Sequence, residues 1–400
     1  MRTPVNTVWY LLFRFFQDCA LVYPVYLIYF RQVGLDFVQI SWLLAIWGAP
    51  VMLMEVPFGV LADLWSRKWS LVLGMLLKSA GFIVWLVRPD FVGFAAGFVL
   101  WGLQEALCTG TTDALLYDWL KQSGAQARFV ELSGRGLLAA RIGVVFSVLL
   151  GGWVFSRNPA AVLILSAASM VVAAACALLL RESRAALPGG AAARTGRTSV
   201  TLRHNLAAIS DTVRQALTVR NMVPVVVFGS LATVVYGVLD EYDFLFGRHA
   251  GVPLAVIGVW GAARFIMEGA GASISGYLER RLGLHVPGRL ALWMLVAGLL
   301  LIGGVATGSR LLLPLYFIFF FMMAAAEILF MGWVQHRVAS VGRATFSSLV
   351  SFVYELLGLG LVLASGYAAD RFGLPAVFIG GGLAVAGAAA VYGLAAGVRG

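Results

Sequence analysis

Residues 59–71 read Gly59-Val60-Leu61-Ala62-Asp63-Leu64-Trp65-Ser66-Arg67-Lys68-Trp69-Ser70-Leu71. They join two apolar runs, 38–62 and 69–87, each close to the roughly 20 residues that carry a helix across a bilayer. Gly59, near the end of the first run, suits a close approach of two helices. Asp63 suits a helix end, where its carboxylate caps the turn or meets a neighbouring cation. Arg67 and Lys68 suit a loop held at anionic headgroups. The stretch therefore reads as a tight basic turn between two spans.

The pattern continues outward in both directions. Twelve apolar runs are expected, at about 7–30, 38–62, 69–87, 92–117, 133–156, 159–180, 221–246, 254–277, 288–307, 311–335, 345–369 and 373–397. With 61% hydrophobic and 12% charged residues over 400 positions, the chain has half the charge needed to cover a water-facing surface. A soluble globule, collagen, a disulfide scaffold and a disordered tail are excluded. Cys19, Cys108 and Cys176 lie inside apolar runs and read as small buried packers rather than disulfide or metal partners. The first run follows a thin basic start at Arg2, is interrupted by Arg14 and Asp18, and has no small-residue cleavage site after it. It reads as a retained span rather than a signal peptide.

The net charge of +10 sits in short loops, which argues for a membrane surface and against nucleic acid. With the N-terminus inside, cytoplasmic segments hold 18 of the 29 Lys and Arg residues. Outer loops hold six: Arg31, Arg88, Arg157, Arg248, Arg310 and Arg371. This bias puts both termini in the cytoplasm of a plasma-membrane protein. One connection is long, and it gives the expected organisation: a six-helix bundle over 1–180, a cytoplasmic linker over 181–220 and a second six-helix bundle over 221–400. The halves repeat. At an offset of 217, Arg31, Gly34, Ile40, Gly59 and Leu61 fall on Arg248, Gly251, Ile257, Gly276 and Leu278. At 222, Glu105 and Gly110 fall on Glu327 and Gly332. Matched six-helix halves are the plan of many secondary transporters.

The 59–71 turn resembles the signature loop of the major facilitator superfamily, G-x-L-A-D-R-x-G-R-K-x-x-L, with Leu64 and Ser66 in place of the usual Arg and Gly. The resemblance implies an all-α membrane fold of 12 transmembrane helices in two pseudo-symmetric bundles. It also implies that Gly59, Asp63, Arg67 and Lys68 form a gating loop. Gly143-x-x-x-Ser147-Val148-x-x-Gly151-Gly152 resembles the glycine motif of the family's antiporters without its proline. Glu55-Val56-Pro57-Phe58-Gly59 with Ala114-Leu115-Leu116-Tyr117-Asp118 looks like a branch of poorly characterised bacterial facilitators, mostly taken as exporters.

A charge at mid-span costs about 2.5–3.5 kcal/mol or more, so those retained mark a watered cavity or a bundle interior. Arg14–Asp18 and Arg264–Glu268 are each four residues apart and share a helix face. Arg141 and Glu355 fall at matched repeat positions. Glu105, Glu327 and Asp18 are the expected proton-coupling groups, since a carboxylate short of water can load and release a proton near neutral pH. Arg14, Trp47, Arg141, Tyr236, Arg264, Glu268 and Glu355 are the expected substrate-cavity residues. Asp113 and Asp118 are expected to pair with Arg135 or Arg67 at helix ends, and Asp240, Glu241 and Asp243 to form an acidic outer mouth or solvated rim. Lys78, also inside a span, has no role in this reading.

His204, His249, His285 and His336 are scattered, and no Gly-rich loop with Lys-Ser/Thr occurs. No metal site, cofactor, ATP drive or enzyme activity is expected. The expected function is proton-coupled efflux of a small molecule by a monomer working through alternating access. The alternatives are a proton symporter or uniporter importing a sugar, organic acid or other metabolite, and a non-transporting receptor or assembly factor on the same scaffold.

Overall fold

The structure, a computed structural model, describes residues 3–182, 222–284, 286–337 and 343–397. Among them it is helical, with no strands. The helices are α1 (Thr3–Asp18), α2 (Tyr26–Val33), α3 (Phe37–Leu64), α4 (Arg67–Val87), α5 (Phe91–Cys108), α6 (Thr111–Gln122), α7 (Phe129–Arg157), α8 (Pro159–Leu179), α9 (Met222–His249), α10 (Ile257–Leu282), α11 (Pro287–Ala306), α12 (Leu313–Arg337), α13 (Arg343–Phe372) and α14 (Leu374–Gly397).

Helix ends follow capping chemistry. Asp36 accepts from the backbone N–H of Gln39, whose side chain returns a bond to the Asp36 N–H, and this box starts α3. Ser66 accepts from the Trp69 N–H at 3.1 Å and starts α4, so the 59–71 stretch is a helix end, a two-residue turn and a helix start. Asp90 and Asn158 cap α5 and α8 in the same way.

Among the described residues, nine helical segments are long and apolar enough to cross a membrane. Of the other expected spans, 221–246 and 345–369 correspond to the 28-residue α9 and the 30-residue α13. The run at 7–30 is not one helix but two, α1 and α2. The run at 92–117 is likewise divided, into α5 and α6. The linker expected at 181–220 lies, from residue 183, outside the described residues.

The chain divides into two compact units: Met1–Ala193 with Gly251–Ala262, and Arg194–Ala250 with Ala263–Gly400. In the first, α4 packs on α8 and α5, α3 on α5, and α1 on α7 and α8. Small residues permit these approaches: a Cβ on Gly81 would lie 2.9 Å from the Gly97 carbonyl oxygen, and one on Gly102 2.6 Å from that of Trp47. Fully buried Trp85 centres an aromatic cluster with Phe30, Phe94 and Phe98, and its indole donates to the Phe94 carbonyl at 3.1 Å. In the second unit, α11 packs on α14 and α12, and α9 packs on α14, α13 and α12. Gly59 has nothing within 4 Å of where its Cβ would stand, so the close approach read for it is not made.

Candidate functional site

Two helix breaks position the site in the first unit. α1 stops at Asp18, and the chain runs through Cys19–Val25 before α2 begins. Pro24 has no N–H to offer a helix here, and the polar groups freed by the break are taken up by serines from two neighbouring helices. Ser166 of α8 accepts from the Val22 N–H at 3.1 Å, Ser169 donates to the Phe16 carbonyl at 3.0 Å, and Ser147 of α7 donates to the Asp18 carbonyl at 3.4 Å. The second break falls at Thr109–Gly110, where Gly110 adopts φ +72°, a conformation that favours glycine.

Both breaks open on one cavity of about 430 Å³. It is lined by Arg14, Gln17, Asp18, Tyr23, Trp47, Lys78, Trp101, Gln104, Glu105, Cys108, Thr109, Gly110, Thr112 and Asp113. Lys78 is buried, with its ammonium donating to the Tyr23 hydroxyl at 2.8 Å and lying 4.4 Å from the Trp101 ring. The Trp47 and Trp101 rings stand 6.1 Å apart. Three buried polar atoms on this lining have no hydrogen-bond partner: Arg14 Nε, Trp47 Nε1 and Gln104 Oε1. Arg14 and Asp18 share a face without an ion pair, and the Arg14 Nη1 donates to Gln17 at 3.5 Å. Asp18 lies within electrostatic reach of Lys78, Arg14 and Arg141.

The second unit holds a denser charge cluster. Arg264 on α10 is 1% exposed, and its guanidinium binds three carboxylates: Asp240 and Asp243 from α9, and Glu268 one turn along its own helix. The Asp243 contact is 2.9 Å, and Asp243 also accepts from the Tyr316 hydroxyl of α12 at 2.5 Å. Tyr236 lies within electrostatic reach of Glu268, and the Phe320 ring lies 5.1 Å from the Arg264 guanidinium. One cation meets three carboxylates, an excess of negative charge that is enclosed at Asp243 and Glu268 and partly solvated at Asp240. Asp243 is fully buried, so the acidic mouth or solvated rim read for it is overturned by its pairing with Arg264, whereas Asp240 pairs with Arg264 and keeps 45% of its side chain exposed.

At the 59–71 turn, Arg67 ion-pairs with Asp118 of α6. The Arg67 and Lys68 N–H groups donate to the Glu182 carboxylate at 2.7 and 3.3 Å, and Ser66 donates to it as well. The Asp63 side chain lies outside the described residues. Arg135 pairs with Glu131 one turn away rather than with Asp113 or Asp118, because α7 supplies a nearer carboxylate. Asp113 lines the cavity. Arg141 and Glu355 are exposed on α7 and α13, and Glu327 is half-buried on α12, within electrostatic reach of Tyr354. The glycines of the α7 motif make close backbone approaches, with Gly143 against the Phe15 carbonyl and Gly151 against Leu21 and Pro24. Sequence reading missed Gln104, Trp101, Tyr23 and Tyr316, which carry no charge, and gave Lys78 no role although its charge within a span was the signal.

Long apolar helices in two units, with charged residues gathered within each and two helix breaks in the first, define a multi-pass membrane protein. The sequence profile described as Major Facilitator Superfamily matches residues 8–359, and the chain belongs to that family. It is 22% identical over 139 residues to "Uncharacterized MFS-type transporter YxaM" of Bacillus subtilis (strain 168), a match covering 34% of this chain and 33% of that protein. The fold is similar to that of the nucleoside transporter NupG, at TM-score 0.74 and 16% identity over 98% of each chain. It is equally similar to a bacterial homolog of the human lysosomal transporter Spinster in an inward-facing, unoccupied conformation, at TM-score 0.74 and 16% identity over 99% and 98% of the two chains. The peptide transporter POT in complex with sulfate aligns at TM-score 0.68 and 15% identity, over 99% and 95%.

Proposed function

We propose that the protein is a secondary active transporter that exports a small molecule in exchange for protons, by alternating access, with both termini in the cytoplasm. The observation that carries this reading is the Arg264 centre, where Asp240, Asp243 and Glu268 share one buried guanidinium. A proton on one carboxylate removes an uncompensated charge. Its release restores the charge and re-engages Arg264, which gives the differential stabilisation of two states that a coupled cycle requires. Glu268, the least enclosed of the carboxylates after Asp240, is the carrier in this scheme. Asp18 and Glu105 in the first-unit cavity, and Glu327 on α12, are the further carriers. The close glycine approaches along α7, in the motif that resembles the antiporter signature, support exchange. The polar lining of the cavity favours a second reading, proton symport of a metabolite.

Proteoliposomes loaded with a pH-sensitive dye separate these readings. Antiport moves protons against the direction of substrate and symport moves them with it. Substrate movement without proton flux ends the coupling claim. Glu268→Gln should abolish uphill transport while leaving substrate exchange. Uphill transport unchanged in Glu268→Gln, Glu105→Gln, Glu327→Gln and Asp18→Asn rejects all four as carriers.

A further inference from the structure

The first-unit cavity presents both signs of charge and unsatisfied groups of both kinds. On the donor side, the buried Lys78 ammonium meets no carboxylate within ion-pair distance among the described residues and uses one N–H on Tyr23. Arg14 Nε and Trp47 Nε1 are buried donors without partners. On the acceptor side, Gln104 is 4% exposed with its Oε1 unpartnered, and Asp18 makes no ion pair with the cations around it. Three lining acids, Asp18, Glu105 and Asp113, stand against two lining cations, Arg14 and Lys78, with the exposed Arg141 within electrostatic reach of Asp18. A ligand with net charge would upset this balance in a partly desolvated site, whereas one carrying both charges would not. The Trp47 and Trp101 rings supply apolar walls, and about 430 Å³ is the size of a small-molecule site.

We propose that this cavity binds a small zwitterion with a planar apolar body, of the aromatic amino acid class. Its carboxylate is received by Lys78, Arg14 Nε and Trp47 Nε1, its ammonium by Asp18 and Gln104 Oε1, and its ring lies against Trp47. The proposal rests on the transport reading for its purpose, but binding itself requires neither proton flux nor a completed cycle.

The test is calorimetric titration of the purified full chain in detergent at pH 7. L-phenylalanine and L-tryptophan are the zwitterions. 3-Phenylpropionate lacks the ammonium and phenethylamine lacks the carboxylate. The zwitterions should bind at least about tenfold more tightly than either analogue, the difference of one good charged contact. Lys78→Gln should narrow the preference for L-phenylalanine over phenethylamine, and Asp18→Asn should narrow its preference over 3-phenylpropionate, each about tenfold. If Lys78→Gln fails to fold, Trp47→Phe keeps an aromatic face and loses the indole donor. It should weaken L-phenylalanine and 3-phenylpropionate several-fold and leave phenethylamine unchanged. A singly charged analogue binding as tightly as the zwitterions, unaltered preferences in the variants, or no binding of any probe would overturn the proposal. Zwitterion binding without proton-linked transport would sink the coupling claim and keep this one. Proton-linked transport of a substrate that is not a zwitterion would do the reverse.

Discussion

Arg264 illustrates how a single residue sets the terms for its surroundings. Its guanidinium is enclosed by Asp240, Asp243 and Glu268, with Tyr316 completing the shell around Asp243. Removing it by Arg264→Leu leaves buried carboxylates without their cation. This should cost about 3–5 kcal/mol, read as a marked fall in melting temperature in detergent. A variant that melts with the wild type would show the centre to be dispensable. Asp90, in the exposed loop between α4 and α5, is a simpler case. The Gly93 N–H at 2.8 Å, with Arg88 beside it, holds its carboxyl below the ordinary value of 3.8. A lowered folded-state pKa means stability present above the unfolded value and lost as pH falls through the folded one. Asp90→Ala should therefore melt lower than wild type at pH 7, and the gap should close as the pH drops below that range. A gap independent of pH would mean that the charged form of the cap contributes nothing.

At the scale of elements, contact between helices depends on what is missing from them. α4 and α5 touch where Gly81 meets Gly97, so closely that a Cβ on Gly81 would stand 2.9 Å from the opposing carbonyl oxygen. Gly81→Leu has no room on that face, and overpacking there should cost about 1–3 kcal/mol. The loss is measurable by thermal unfolding followed on size-exclusion profiles, and a neutral outcome would mean that the helices separate freely. The breaks that divide two of the expected spans shape the first-unit cavity. Gly110→Ala forces a side chain into a positive-φ position at about 1–3 kcal/mol of strain. Because Thr109 and Gly110 line the cavity, transport should fall further than stability does. Equal falls in both would reduce the break to a structural joint.

For the whole molecule, the charge bias of the loops is a statement about topology. Cys19, Cys108 and Cys176 are buried, so the native background for thiol labelling is low. Single cysteines replacing exposed Ser123 and Asn158 lie at opposite ends of α7. An impermeant maleimide should label the first only from the cytoplasmic side and the second only from outside. The reverse pattern would invert the orientation.

Hydrophobic run length, loop charge and the 59–71 turn were sufficient for the family and for an all-α membrane fold, because a bilayer leaves backbone polar groups few other ways to be satisfied. Charges within spans also singled out Arg264, Glu268 and Asp18, since hydrocarbon penalises them wherever they stand. Their partners were a different matter. Asp243 looked like part of a rim by position and proved to be buried against Arg264, while Asp240 pairs with Arg264 from a partly exposed position. The interruptions at Cys19–Val25 and Thr109–Gly110 were hidden inside apolar runs, where hydropathy cannot distinguish a continuous helix from a broken one. Lys78, Gln104 and Tyr23 acquire meaning only when separate helices bring them to one cavity, because partnership is a property of packing across the fold and leaves no mark at any fixed spacing along the chain.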